Sequence, residues 1–222
     1  MWNKNLALKL CCIVLLVVSG CGVPTQKIAV MPGATTAPEG VRPLVLVNVK
    51  TINNLKDVWD NLSKTQRSMI METLRFQNVE SGQVYLPCIK GEYSIVSGSP
   101  IAAPYQISED KTSTFVSLIV NIPPGKYKIT KAWFVRPQAP GTSLADWDFM
   151  EEAIGLSIPD SDFVSLGTLE FNFDDTGLKT GDIIQGLKFH TCKKSVKLRE
   201  MTKDEEGFVI ESYPLLKTLL NK

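Results

Sequence analysis

Apolar and polar residues alternate most clearly between positions 114 and 135. The apolar residues recur at every second position, the period of a β-strand, on which successive side chains point to opposite faces. They are Val116, Leu118, Val120 and Ile122, and then, after Pro123-Pro124-Gly125, Tyr127, Ile129, Trp133 and Val135. On the second strand, Lys126, Lys128 and Thr130 occupy the other face, and Lys131 breaks the pattern on the apolar side. We therefore expect two strands of an antiparallel sheet with one buried face, joined as a hairpin by a type II turn.

Other segments carry weaker signals for helices, turns and strands. Residues 143–154 contain several apolar side chains and could form a short helix capped by Thr142 or Ser143. Asp174-Asp175-Thr176-Gly177 predicts a turn, because Asp and Gly favour turn conformations. Residues 50–80 are irregular, and we expect strands there with one helical turn near Trp59. Further short strands are predicted at residues 44–49, 84–88 and 163–173.

The C-terminal residues change in character. Thr202 and Glu205 have the spacing of a capping box, in which each side chain accepts a hydrogen bond from a free backbone N–H at a helix start. Pro214 then interrupts the helix before an apolar stripe at helical spacing, formed by Leu215, Leu216, Leu219 and Leu220. The sequence therefore predicts a short terminal helical segment that packs on the sheets.

The first twenty-one residues have the features of a secretory signal peptide. Lys4 and Lys9 make the start positive, residues 10–18 are an apolar run, and small residues follow before Cys21. The run is shorter than the about 20 residues of a permanent membrane span. Val18-Ser19-Gly20-Cys21 resembles the lipobox of bacterial lipoproteins, in which the peptide is cut before a cysteine that carries lipid. The alternative is an ordinary signal peptide followed by a chance cysteine.

Removal of residues 1–20 leaves 202 of the 222 residues. The remaining chain has 22 basic and 23 acidic residues, a formal charge of −1, so nothing indicates a nucleic-acid-binding surface or polybasic attachment to lipid. Residues 22–40 are rich in Pro, Gly and small side chains. We therefore predict three regions: the signal peptide at 1–20, lipidated Cys21 with a flexible tether at 21–40, and one domain at 41–222.

Two cysteines remain in the predicted domain, Cys88 and Cys192. An exported chain folds where disulfides persist, so this pair is a candidate bridge. The alternative is two buried thiols, because a free cysteine packs as a small hydrophobic residue.

Candidate catalytic and metal-ligating residues are sparse. His190 is the only histidine and lies two positions from Cys192, which on a strand separates the two residues by about 7 Å, too far for a direct Cys–His pair. A structural zinc site needs four Cys or His ligands, and the predicted domain has only three such residues. Aspartates at 146/148, 160/162 and 174/175 could in principle ligate calcium, but no spacing matches an EF-hand loop. We therefore predict no metal, no cofactor and no catalytic residue.

Two tryptophans are candidates for a contact surface, because aromatic side chains dominate interface energetics. Trp133 falls on the apolar face of its strand and is assigned to the core. Trp147 lies among loop-like residues and is the best candidate for an exposed contact with a partner.

Three motifs also resemble a known kind of protein. Pro123-Pro124-Gly125-Lys126-Tyr127 with the strand that follows resembles the "PGKY" hairpin of bacterial Ig-like or transthyretin-like β-sandwiches. Residues 163–171 resemble the later strand that pairs with it in uncharacterised lipoproteins of this kind, and residues 212–216 resemble their tail. The resemblance implies a mainly β chain, an antiparallel β-sandwich on a lipid anchor, and supplies no known activity.

These observations predict a lipid-anchored protein of the bacterial cell envelope that binds or scaffolds and is not an enzyme. Its partners would be the membrane, through the lipid on Cys21, and an envelope protein of unspecified identity. Gly22 does not match the Asp-type signal for retention in the inner membrane, so the outer membrane is favoured. One alternative is a surface-exposed adhesin or ligand-binding module of the same fold, and a more distant one is an envelope hydrolase.

Overall fold

The computed structural model describes residues 25–26, 28–54, 70–87, 103–110, 112–135, 145–149, 153–184 and 187–220. For residues 25–26, 135, 145–146, 175–184 and 187–192 this description covers the backbone alone. This part of the chain is mainly β, with two sheets and a short C-terminal helical segment, which confirms the predicted fold class.

The strands, in chain order, are β1 (Thr25–Gln26), β2 (Ile28–Val30), β3 (Leu44–Asn54), β4 (Ile70–Asn78), β5 (Val84–Pro87), β6 (Tyr105–Ile107), β7 (Ser113–Asn121), β8 (Gly125–Val135), β9 (Ala145–Asp148), β10 (Ile154–Ile158), β11 (Phe163–Ile184) and β12 (Leu187–Arg199). Two helices follow, α1 (Lys203–Ser212) and α2 (Leu216–Leu219). Among the described residues, no helix is long and apolar enough to cross a membrane.

The strands form two sheets. Sheet I has the order β1–β5–β4–β8–β10, with β9 also paired to β8. Sheet II has the order β12–β11–β3–β7–β2, with β6 also paired to β7. Neighbours are antiparallel except for β1 with β5 and β3 with β11, which are parallel.

The facing sides of the two sheets enclose one hydrophobic core. Alternation along β3 turns Val45, Val47 and Val49 inward, and all three are buried. Five aromatic rings from both sheets pack with neighbouring centroids 5.2–5.9 Å apart, mostly edge to face, as their quadrupoles favour. They are Phe134, Trp147, Phe149, Phe171 and Phe173.

The terminal helices cover part of the outer side of sheet II. Thr202 caps α1, and the predicted capping box with Glu205 is present, so this prediction is confirmed. Helix α1 ends before Pro214, also as predicted. The Tyr213 hydroxyl donates to the Ser117 carbonyl oxygen at 3.1 Å, and burial raises the pKa of Tyr213. A second apolar cluster joins the helices to the outward residues of the sheet: Leu44, Leu46, Phe115, Ile119, Val209, Tyr213, Leu215 and Leu216.

The predicted hairpin between β7 and β8 is wrong. Both strands exist close to their predicted positions, but β7 belongs to sheet II and β8 to sheet I. Pro123 and Pro124 therefore carry the chain from one sheet to the other. Proline has no N–H to donate to a ladder, which suits a crossing segment as well as it suits a turn. Gly125 has a φ of 151°, and a Cβ there would lie 2.9 Å from Asn78 Nδ2, so the position still requires glycine.

Trp133 is only half-buried, which corrects its assignment to the core. On β8, Tyr127 and Ile129 face the core, but a bulge at Thr130 shifts the pairing by one residue. Beyond the bulge, Ala132 and Phe134 are buried, and Trp133 between them points to the outer side. A bulge reverses the faces of every later residue because the period of a strand is two.

The predicted flexible tether is wrong from Thr25 onward. Strand β1 pairs with β5, and β2 pairs with β7, where Val30 is buried. Farther along, the Gly33 N–H donates to the Ser212 carbonyl at 2.8 Å, and Ala34 accepts from the Leu215 N–H at 3.2 Å. The composition suggested little burial, but backbone pairing at a sheet edge and contact with the terminal helices order this segment. The described sheets therefore include strands that precede the predicted domain start at residue 41.

Two further local predictions are also wrong. The sequence 174–177 does not turn, because β11 continues to Ile184 and pairs with β12, with register shifts between Asp175 and Lys179 and again before Ile183. The bulges absorb the residues that otherwise favour turns. The helix predicted at residues 143–154 is not formed, because residues 145–148 are strand β9 and strand β10 begins at Ile154. Both strands pair with β8, and sheet pairing prevails over local preference.

Candidate functional site

The most extensive polar cluster in the described part of the chain joins Glu170, Arg199 and Glu205 and is called here the acid–arginine network. Arg199 Nε donates to Glu170 Oε2 at 2.8 Å. Its Nη2 and Nη1 atoms donate to Glu205 Oε1 at 2.6 Å and Oε2 at 2.8 Å, a bidentate geometry that strengthens the contact. One guanidinium thus links β11, β12 and α1.

The two carboxylates have additional partners. Lys197 Nζ lies 2.9 Å from Glu170 Oε1. Glu205 Oε2 accepts from Thr168 Oγ1 at 3.1 Å and from the Thr202 N–H at 3.0 Å. Glu205 therefore serves both the capping box and the network, which fixes the start of α1 on sheet II.

These contacts hold both carboxylates in the ionised form. Burial alone would raise the pKa of Glu170, but hydrogen bonds from Lys197, Arg199 and Asn172 outweigh burial and lower it to about 2. Burial likewise opposes ionisation of Glu205, and its bonds with Arg199, Thr202 and Thr168 lower its pKa. The bonds to Glu205 and Glu170 raise the pKa of Arg199. A carboxylate kept ionised by such partners is a poor general acid or base near neutral pH.

A cleft of about 390 Å³ opens beside the network, between β6, β7 and the start of α1. Lys50 lies on its wall with Nζ 3.8 Å from Glu205 Oε1, and Asp204, Gln106 and Ser113 also line it. The cleft can receive a small polar group. Its described lining contains no histidine or cysteine, so it offers neither a Cys–His pair nor a set of nitrogen and sulfur metal ligands.

The predicted acidic clusters do not form a metal site among the described residues, where no group of three His, Cys, Asp or Glu side chains converges. Asp162 instead pairs with Arg42 at 2.7 Å, with both side chains exposed. Asp174 Oδ1 accepts from Asn54 Nδ2 at 2.7 Å. These aspartates hold neighbouring chain segments together.

Trp147 is buried, which corrects its prediction as an exposed contact. Its side chain is 7 % exposed and lies in the aromatic core beside Phe149, Phe171 and Phe173. The residue looked loop-like because β9 is short and lacks alternation of its own. Pairing of Trp147 with Ala132 on β8 turns its ring inward.

The remaining predicted site residues are the cysteines and the histidine. Cys21 and Cys88 lie outside the described residues, and so do the side chains of Cys192 and His190. Lipidation of Cys21 and the Cys88–Cys192 disulfide therefore stay predictions.

The outer side of sheet I, called here the basic face, was missed by sequence reasoning. Lys126 and Lys128 are exposed on β8, and Lys131 and Trp133 follow on the same side beyond the bulge. Lys131 Nζ lies 5.1 Å from the centre of the Trp133 ring, a cation–π distance. Arg75 on β4 stands directly opposite Lys131. The lysine that breaks the alternation at 131 was the available sequence signal for the bulge that gathers these residues.

Comparisons with known proteins add no assignment to this geometry. The chain matches no protein-family model, and no curated protein or solved structure is significantly similar to it.

Proposed function

We propose that this chain is a lipid-anchored, non-catalytic protein of the bacterial cell envelope whose sandwich binds or scaffolds a partner. The observation that carries the proposal is the short distance along the chain between the lipobox cysteine and the fold. Strand β1 begins at Thr25, four residues after Cys21. Four residues reach at most about 14 Å, so a lipid on Cys21 would hold the sandwich at the membrane surface.

The polar groups of the described part support a binding or scaffolding role over catalysis. In the acid–arginine network, each charged group is paired with a group of opposite charge, and the carboxylates are held in the ionised form. Enzyme sites commonly hold titratable groups whose pKa values are shifted toward the working pH, in a cleft that receives the substrate. The network shifts the pKa of Glu170 away from neutrality.

Replacement of the lipobox cysteine tests the anchor. Cells expressing the full chain would be labelled with an alkynyl palmitate analogue and separated into soluble and membrane fractions. The wild-type protein should carry the label and stay in the membrane after a salt wash, whereas Cys21→Ser should lose both, because stable anchoring needs acyl chains. Cys12→Ser, inside the predicted signal peptide, is the matched control and should behave as wild type. Membrane retention of unlabelled Cys21→Ser after a salt wash would contradict the proposal.

Location within the envelope is tested separately. In a Gram-negative host, density-gradient separation should recover the wild-type protein with the outer membrane and Gly22→Asp with the inner membrane. Protease treatment of intact cells then distinguishes a periplasmic scaffold, which is protected, from a surface-exposed adhesin, which is cleaved.

A further inference from the structure

We propose that the basic face of sheet I is the surface that the anchored protein turns toward a bilayer with anionic phosphate headgroups. This inference rests on the proposed lipid anchor and goes beyond it, because it assigns an orientation and a lipid class. Three independent observations support it: the sheet to which the anchor connects, the pairing of charges on the two sheets, and the side chains beside the lysines.

The anchor enters the fold at an edge of sheet I. Strand β1 forms that edge and pairs with β5, with Thr25 opposite Leu86 and Gln26 opposite Pro87. A lipid on Cys21 would therefore lie within about 14 Å of this edge. Such a short connection gives the neighbouring sheet a high effective concentration at the bilayer, so that even weak contacts between them are populated.

Two lysines of the basic face, Lys126 and Lys128, have no acidic neighbour directly across the sheet. Lys126 is opposite Ser157, and Lys128 stands between Gly155 and Gln77. Within the described part of the chain, no salt bridge involves either lysine. Two exposed lysines without a carboxylate across the sheet are free to attract an external anion such as a lipid phosphate.

A formal charge near zero does not conflict with a basic face. The total counts every residue of the chain, whereas the field at a surface depends on which charges share it. Sheet II contributes carboxylates that its own cations neutralise, as the acid–arginine network illustrates. Sheet I carries Asp148 next to Lys131 and no carboxylate next to Lys126 or Lys128.

Apolar and aromatic side chains accompany the lysines. Trp133 lies beside Lys131, and tryptophan is enriched at membrane–water interfaces because its ring is amphipathic. Val79 is 51 % exposed in the turn after β4, and its N–H donates to the Lys126 carbonyl at 2.8 Å. An exposed valine next to a lysine column fits the headgroup region, where lysine takes the phosphate and the apolar side chain the acyl boundary.

Competition between two vesicle populations tests the proposal. The lipidated mature protein is added, with detergent below the solubilising concentration, to equal amounts of neutral phosphatidylcholine vesicles and vesicles that also contain phosphatidylglycerol, separable by density. Because the acyl chains insert in both vesicle populations, the distribution of the protein between them measures how much the basic face contributes to binding of anionic vesicles. A lysine near an anionic surface changes binding by about fivefold, so Lys126→Gln with Lys128→Gln should reduce the preference for anionic vesicles by up to about 25-fold.

The matched control replaces two exposed lysines on the side of sheet II, Lys193→Gln with Lys203→Gln, and should leave the distribution unchanged. Equal recovery of wild-type protein on both populations, or equal losses from the two double variants, would overturn the proposal while leaving the anchor intact. Wild-type protein recovered on neither population would overturn the anchor, and the orientation with it. Loss of the preference at high salt is the further result expected, because the contact is electrostatic.

Discussion

The outer sides of the two sheets are both polar, yet they use their charges differently. On sheet II, Arg199 is shared by Glu170 and Glu205, and helix α1 covers the neighbouring residues. On sheet I, Lys126 and Lys128 have no carboxylate across the sheet. A polar position in the alternation of a strand therefore indicates only that its side chain points away from the core. Whether its charge is neutralised depends on the element that packs there.

The largest expected effect comes from removing the shared guanidinium. Arg199→Ala would remove the shared partner of two largely buried carboxylates and leave Glu205 with only Lys50 at 3.8 Å, at a cost of about 3 kcal/mol in the free energy of unfolding. Lys197→Ala is the control, because Lys197 is 61 % exposed and its pair with Glu170 contributes below about 1 kcal/mol. Urea denaturation at neutral pH measures both. Similar small losses would mean that the network does not stabilise sheet II.

A backbone position beside the same network should give the next largest effect. Gly167 has a φ of 77°, and a Cβ there would collide with the Arg199 carbonyl oxygen. Gly167→Ala should therefore destabilise by about 1–3 kcal/mol. Gly207→Ala in α1 is the matched control: it meets nothing within 4 Å and should stabilise by up to about 1 kcal/mol, because alanine favours helix. Thermal melts that move both variants in the same direction would contradict this account.

Acid should weaken sheet II through Glu170. Its pKa is lowered to about 2 in the folded protein from an ordinary 4.5, so its contribution is complete above pH 4.5 and is lost as the pH falls toward 2. Glu170→Gln should therefore make the free energy of unfolding depend less steeply on pH across this window. Glu206→Gln, at an exposed position of α1, should keep the wild-type slope. Identical slopes for wild type and Glu170→Gln would refute the assignment.

The smallest effect is expected on sheet I. Lys128→Thr should change the free energy of unfolding by less than about 0.5 kcal/mol, because Lys128 is exposed and lies between Gly155 and Gln77. Denaturation of the variant beside Arg199→Ala measures the difference between the faces directly. A loss above 1 kcal/mol would mean that Lys128 has a structural role in the fold.

Sequence reasoning succeeded where the signal is local. The period-two pattern located β7 and β8, and a run rich in β-branched residues located the first half of β3. The spacing of Thr202 and Glu205 located the start of α1. It failed for Trp147, whose burial depends on pairing between β9 and β8, and for the tether, whose order depends on contacts with β5, β7 and the terminal helices. These contacts involve residues that are distant in sequence, so the local sequence does not predict them.

By itself, therefore, the sequence determined the mainly β class, several strands and the capped terminal helix, because each depends on residues only a few positions apart. Tertiary structure decided which sheet each strand joins, and so separated β7 from β8. It also brought Glu170 to Arg199 across 29 positions and gathered lysines from both sides of the Thr130 bulge on one face. Strands pair with partners that are distant in sequence, and several strand edges offer similar backbone groups. Periodicity therefore predicts that a strand forms but not which strands it pairs with.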